Sequence, residues 1–350
     1  MSTATKISAS EMLQTGGCRV SVFGRTLLAL SAVLVAACGS QDAETNLTDD
    51  GGSDASAAQA DATAGQPDAL QPLDSSLHDA SGIDGGAGDG AAGDAVVTMV
   101  SFNLLHGFPS FTDLDKRTQM VIDYIKTQQP DIIAVQEVGR TPTLENRAKI
   151  IATAVGYHWD FEVASGVGFV FEEGPGVLSR WPISSRKPLQ LPHVNGFEVR
   201  KALRVRIQSP FGGIDVTSTH LTTQDPENIK ADQALAAHAL TAQDRTGLAG
   251  FFAGDMNATP DSLAMRVLRG AATHAGKTGD LVDAWGAANP SDPGLTASSS
   301  ALDRRIDYVY VVPGSKGPGE VLSCRHVLDK PNGGLFASDH IGVECRVRIN

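Results

Sequence analysis

The chain has 350 residues, with 40 acids against 28 bases for a formal net charge of −12. The excess is local: eleven Asp and one Glu fall within residues 39–95, so residues 96–350 carry 27 acids and 25 bases. That balance argues against a protein that grips nucleic acid through overall basic charge.

Residues 1–25 bear Lys6, Arg19 and Arg25, and Thr26–Ala37 is an unbroken run of small and apolar residues ending at Cys38. The run is too short for a mature membrane-spanning helix and suits a signal-peptide core. Leu34-Val35-Ala36-Ala37-Cys38 resembles the lipobox of bacterial lipoproteins, in which the Cys is acylated. The resemblance implies a signal peptide over 1–38 and a protein of the bacterial cell envelope, lipid-anchored to a membrane and facing periplasm or exterior. An ordinary signal peptide cut near Ala37 and a short buried helix are the alternatives, and Met12 is a second candidate start. Residues 39–95 contain no Lys, Arg, Phe, Tyr or Trp. They have too little apolar surface to offset ordering entropy, and their like charges repel, so a disordered acidic tether is expected.

Residues 96–350 read as one large domain without an internal repeat. Val96–Phe102 reads as a strand, Leu114–Gln128 as an amphipathic helix and Ile132–Gln136 as a buried strand, with Pro130-Asp131 between the last two. A helix over Leu144–Val155 follows. Short strands are then expected at Tyr157–Val163, Gly168–Phe171, Gly176–Leu178, Lys187–Leu191, Val199–Ile207 and Ile214–Thr219. Pro226–Ala242 reads as a helix, Leu248–Ala253 as a strand, Ser262–Leu268 as a helix, and Ile306–Val312, Val321–Val327 and Ile341–Ile349 as strands. Helices crossing between buried strands, with hairpins in the middle, imply an α/β fold of mixed sheets covered by helices. Cys324 and Cys345 fall on the last two strands, as either a disulfide or two buried thiols.

Four short stretches end strand-like runs with polar residues: Ser101-Phe102-Asn103, Val135-Gln136-Glu137, Gly254-Asp255-Met256-Asn257 and Ser338-Asp339-His340. Active sites of α/β proteins gather at strand ends, and oxygen donors of this kind suit a hard divalent cation. Each residue also has a plainer reading. Glu137 could be a solvated strand-end acid, Asn103 a turn initiator, and Asp255 with Asn257 an Asx-turn serving its own backbone.

Together with Leu178-Ser179-Arg180-Trp181-Pro182-Ile183, Ser218-Thr219-His220-Leu221 and Arg305-Ile306-Asp307-Tyr308-Val309, these stretches resemble, in order, the motifs of the endonuclease/exonuclease/phosphatase superfamily. That group includes deoxyribonuclease-I-like and exonuclease-III-like nucleases, bacterial neutral sphingomyelinases and inositol-polyphosphate 5-phosphatases. The resemblance implies a four-layer sandwich of two mixed β-sheets flanked by helices. It assigns Glu137 as the main ligand of Mg²⁺, for which Mn²⁺ can substitute, with Asp339 close to the metal and Asn103 holding the metal site or a phosphate oxygen. By the same resemblance Asp255 activates water, Asn257 and His220 contact phosphoryl oxygens, and His340 acts at the phosphate with its tautomer fixed by Asp307. His106 is a candidate for shaping the pocket. Arg180, Arg200 and Lys201 read first as ordinary surface charge. Abasic-site endonucleases place an acid two residues after the Asn, where this chain has Leu105, which weakens a DNA-repair assignment.

The function expected is hydrolysis of a phosphodiester or phosphomonoester by activated water, in a monomer, on phospholipid, a small phosphate ester or nucleic acid. A non-catalytic surface lipoprotein would have lost at least one of Glu137, Asp255, Asn257 or His340, and a nuclease on a tether is the enzymatic alternative. A serine hydrolase would want a G-x-S-x-G elbow, which the sequence lacks.

Overall fold

Apolar residues alternating with a period of two on both faces set the architecture of the computed structural model. It describes residues 95–349 apart from 168–169, 193–197, 225, 244 and 246. The signal peptide and tether expected from the sequence, with Cys18 and Cys38, fall on residues 1–94, which lie outside the described residues.

The first sheet has the order β13-β14-β1-β2-β6-β3, built from β1 (Val96–Asn103), β2 (Ile132–Gln136), β3 (His158–Phe161), β6 (Gly176–Ser179), β13 (Glu320–Val327) and β14 (Gly342–Arg348). The second runs β11-β12-β10-β9-β8-β7, from β7 (Ile183–Gln190), β8 (Lys201–Ser209), β9 (Gly212–His220), β10 (Gly250–Asp255), β11 (Val282–Asp283) and β12 (Asp307–Val312). A small hairpin pairs β4 (Ser165–Val167) with β5 (Phe171–Glu173). Both sheets are mixed. In each, one parallel pair lies among antiparallel neighbours: β1 with β2, and β9 with β10.

On β1, Val97 and Met99 face the other sheet while Val100 and Phe102 face helices α1 (Leu114–Gln128) and α2 (Arg147–Val155). On β10 and β12, Phe251, Ala253, Val309 and Val311 point inward. Phe252, Tyr308 and Tyr310 point outward, into the layer of α3 (Glu227–Thr241) and α4 (Leu263–Leu268). Three apolar layers thus separate four layers of structure, the sandwich expected from the sequence. A short α5 (Ala284–Ala288) packs against β12 and β13.

Helix α1 has the bounds read from the sequence. The second helix starts later than expected because Asn146, not Leu144, caps it by accepting from the Lys149 amide. Strand β7 starts at Ile183, earlier than expected; as a mostly exposed edge strand it has little apolar periodicity to mark its start. Cys324 and Cys345 are register partners in β13 and β14 and form a disulfide.

Candidate functional site

The C-terminal ends of both parallel pairs meet at the edge where the sheets face each other. Register sets Asn103 beside Gln136, and Asp255 beside both His220 and Asp307. A side-chain bridge crosses the seam: Gln136 Nε2 donates to Ser218 Oγ at 3.3 Å, and that hydroxyl donates to the Val135 carbonyl at 3.0 Å.

Backbone conformation at these exits is unusual. Leu105, Glu137 and Asn257 have φ of 57°, 52° and 46°, a left-handed region that costs a non-glycine residue about 1 kcal/mol or more. Gly254, at φ 153°, precedes Asp255 where any Cβ would run into the Thr219 carbonyl oxygen. Turn bonds repay part of this strain. Asn103 Oδ1 accepts from Leu105 N at 2.9 Å, Asp255 Oδ1 from Asn257 N at 2.9 Å, and Ser338 Oγ from His340 N at 3.2 Å. The Asx-turn weighed for Asp255 and Asn257 is therefore present, and it engages only one oxygen of Asp255.

The remaining atoms face one another. Asn103 Nδ2 donates to Glu137 Oε1 at 3.0 Å and to Asp255 Oδ2 at 3.1 Å, bridging two carboxylates from different sheets. Glu137 Oε2 also accepts from the backbone of His106 at 3.0 Å. Asn257 Nδ2 donates to the Leu221 carbonyl and faces His220 Nε2, both at 3.0 Å, which makes that ring nitrogen an acceptor. His220 Nδ1 is buried without a hydrogen-bond partner among the described residues. Burial first, then the nearby Arg200, His340 and His106, hold this imidazole well below its ordinary pKa, so it is neutral.

His340 behaves oppositely. Burial would lower it, but the Asp307 carboxylate 2.8 Å from Nδ1, helped by Asp255 and Asp339, raises it to about 10. Asp307 is itself fixed by the buried Thr296, whose hydroxyl accepts from the amides of Ile306 and Asp307. Burial and the Asp307 charge push the Asp255 carboxyl up to about 7, against the pull of His340.

Asp255, Asp307 and His340 form a buried group that could hold a metal ion, with one ligand atom from each within 4.8 Å of the others. His340 Nδ1 is bonded to Asp307, which makes His340 and Asp307 a carboxylate–imidazolium pair beside Asp255. Glu137 and Asp255 approach a common point where only the Asn103 amide group mediates between them. That leaves hard oxygen donors in excess of positive charge, and the residues fit Mg²⁺ or Mn²⁺ on that ground. Asp339 stands apart from this cluster: its carboxylate is exposed and accepts from Ser338 Oγ at 3.2 Å, while its backbone carbonyl receives Ser299 N.

A cleft of about 280 Å³ opens onto Glu137 and His220 and is lined further by His106, Phe108, Ser165, Phe171, Glu173, Glu198 and Arg200. His106 Nδ1 accepts from Phe108 N, so its proton is on Nε2, 3.5 Å from Glu137 Oε2. Phe108 stacks on Phe171 with centroids 4.9 Å apart. Arg200, first read as surface charge, is in this wall and paired with Glu198; Arg180 pairs with Asp131 and Lys201 with Glu162. Sequence reasoning missed Phe108, Phe171, Glu173 and Glu198, because their roles come from the loop after β1, the β4–β5 hairpin and the approach to β8, where none of them belongs to a motif.

Two facing mixed sheets with carboxylates, amides and imidazoles on adjoining strand exits define a class of α/β sandwich with an acidic cleft at one edge of the sheets. The chain belongs to the endonuclease/exonuclease/phosphatase family, whose model matches residues 100–340. Several solved structures share the fold. An endonuclease/exonuclease/phosphatase from Beutenbergia cavernae is 21% identical, with 73% of this chain and 72% of that chain covered and a TM-score of 0.57. One from Bacteroides vulgatus is 17% identical, with 73% and 99% covered and a TM-score of 0.58. D. rerio TDP2 complexed with single strand DNA product is 17% identical, with 73% and 100% covered and a TM-score of 0.57. At these identities the likeness is one of fold. No curated protein matches the sequence.

Proposed function

We propose that the protein is a metal-dependent phosphoesterase that hydrolyses phosphodiester or phosphomonoester bonds with an activated water. The observation carrying this is the Asn103 amide bridging Glu137 and Asp255 from the two sheets, with the Asp307–His340 pair behind Asp255. When bound, Mg²⁺ or Mn²⁺ would supply Lewis-acid polarisation of a phosphoryl oxygen, held chiefly by Glu137, with Asn103 steadying the site.

Asp255, ionised, orients a water and takes its proton through the oxygen not used in its own turn. The His340 imidazolium, kept charged by Asp307, stabilises negative charge growing on the phosphoryl group. Asn257 offers amide hydrogens to the same oxygens. Substrate taking those hydrogens would free His220 Nε2 from Asn257, and a shift of the ring proton from Nδ1 to Nε2 would then let neutral His220 donate to a phosphoryl oxygen. For Asp339, expected close to the metal, the exposed carboxylate favours an outer, water-mediated role.

For location, the lipobox supports a lipoprotein anchored through Cys38, with residues 39–95 as tether and residues 96–350 as the enzyme, acting as a monomer at a bacterial envelope membrane. For substrate, the near-neutral domain and the Phe108–Phe171 wall favour a phospholipid or small phosphate ester over duplex DNA. The test is a panel of DNA, RNA, sphingomyelin, inositol phosphates and bis-nitrophenyl phosphate, each with Mg²⁺ and with chelator. Turnover of none of them by folded protein would favour a binding lipoprotein that kept the fold.

A further inference from the structure

Arg147, the first residue of α2, has 1% of its surface exposed and is among the largest fully buried side chains. Among the described residues its hydrogen bonds reach no carboxylate: Nη1 donates to the carbonyls of Leu104 at 2.7 Å and Leu105 at 2.8 Å, and Nε to Thr118 Oγ1 at 3.0 Å. Nη2 has no partner. Burial pulls the guanidinium down to about 10, so it is still a cation at neutral pH. A buried cation without a directly bonded counter-ion is expensive, and an apolar side chain would fill the seam between α1 and α2 without that cost. The cost calls for a compensating role.

We propose that Arg147 is the positioning residue of the Glu137 site; this rests on the reading above that Glu137 holds the metal. The two carbonyls it grips belong to consecutive peptide planes on either side of Leu105, the residue with φ 57°. A trans peptide is planar, so its N–H points opposite to its C=O. The N–H opposite the Leu104 carbonyl is that of Leu105, which meets Asn103 Oδ1 at 2.9 Å. The N–H opposite the Leu105 carbonyl is that of His106, which meets Glu137 Oε2 at 3.0 Å.

One guanidinium thus orients both amides that hold the two residues at the heart of the site. It acts through rigid planes, from the far side. It also polarises both peptide units, which strengthens their N–H donors. The backbone of Arg147 completes the clamp, its own N–H donating to the Gly139 carbonyl at 3.4 Å, just beyond Glu137.

The experiment compares Arg147→Met, Arg147→Lys and Ile151→Val in the full chain. Two quantities are read: Mn²⁺ affinity of metal-free protein by titration calorimetry, and amide exchange over residues 103–107 by mass spectrometry. Arg147→Met should weaken Mn²⁺ binding about tenfold or more and raise exchange at Leu105 and His106 about tenfold, with β12 unchanged. Arg147→Lys should recover part of both, since one ammonium can hold one carbonyl. Ile151→Val, destabilising elsewhere on α2, should leave both quantities alone. Folded Arg147→Met with wild-type exchange and wild-type Mn²⁺ affinity overturns the proposal. If Arg147→Met does not fold, wild-type values in Arg147→Lys overturn it. A wild-type protein that binds no Mn²⁺ sinks the metal role of Glu137, while the exchange measurement still decides whether Arg147 sets the two planes.

Discussion

Nδ1 of His340 lies 2.8 Å from Oδ2 of Asp307, and its Nε2 lies 3.8 Å from Oδ2 of Asp255, so one imidazole stands between two buried carboxylates. Neither flanking acid has a Lys or Arg bonded to it among the described residues. The pair's charge is therefore balanced by the imidazolium, the Asn103 amide and whatever cation the cleft takes. This electrostatic arrangement drives the first two expectations.

Removing divalent metal with EDTA should abolish phosphoester hydrolysis, and Mg²⁺ or Mn²⁺ should restore it, because Glu137 and Asp255 offer hard oxygen donors. Steady-state rates before and after exhaustive chelation decide the point. Undiminished turnover without metal would falsify the mechanism.

Asp255→Ala and His340→Ala should each lower turnover about a hundredfold or more with the fold intact, the usual loss for a general base or a charge-stabilising group. The same residues give a pH signature in metal-free protein. Asp255 titrates at about 7 in the fold against 3.8 ordinarily, so the fold holds the extra proton and loses stability as pH rises from about 4 to 7. His340, raised from 6.5 to about 10, contributes stability fully present below pH 6.5 and lost as pH rises through 10. Melting curves in EDTA should show both declines. Asp255→Asn should flatten the first and raise the melting point by a few degrees at pH 8, and His340→Gln should flatten the second. A variant whose pH dependence matches wild type would show that the residue's proton is not coupled to folding.

The Cys324–Cys345 disulfide closes a loop of 21 residues between the edge strand β13 and its neighbour. Reduction, or replacement of both by Ser, should cost about 3 kcal/mol of stability. Urea unfolding of the two forms measures it; equal midpoints would mean the bond adds nothing.

On the proposed lipoprotein reading, Cys38→Ser should move the protein from the membrane fraction to the soluble one, since the tether over residues 39–95 has no apolar anchor of its own. Persistent membrane association after washing would require a second attachment.

Salt should separate the substrate classes. A duplex-DNA nuclease must hold phosphates away from the cut with Lys and Arg, and its affinity falls steeply with ionic strength. With 25 bases against 27 acids over residues 96–350, hydrolysis of small or lipid phosphoesters should equal or exceed DNA cleavage at about 0.15 M salt, and lose less as salt rises. Efficient DNA digestion there, with the other esters untouched, would make the protein a nuclease.

The parts of this molecule that sequence made legible are those whose causes are local. The period of α1 and the apolar run of β2 place both elements with their observed bounds. Strand-end polar residues likewise point to Asn103, Glu137, Asp255 and His340, which the fold gathers with His220, Asn257 and Asp307. What stayed hidden depends on partners far along the chain. Arg147 lies in no motif, and its burial beneath Leu104 and Leu105 arises only in the fold. Arg200 reads as surface charge until the chain folds it into the wall opposite Phe171. Strand β11 and helix α5 are too short to show a period at all.

The Gln136–Ser218 bridge joins the sheets within a few residues of Glu137 and His220, so the site lies across a joint that neither half of the chain contains. Asn103 and Glu137 arrive early in the sequence, His220, Asp255 and Asp307 in the middle, and His340 ten residues from the end. A chain cut short after β13 keeps the metal-side acids but lacks His340, the imidazole that Asp307 charges. Turnover would therefore serve as a readout of completed assembly: only a chain that runs from Asn103 through His340, with both sheets in contact, brings the Asp307–His340 pair and the bridged carboxylates to the same point.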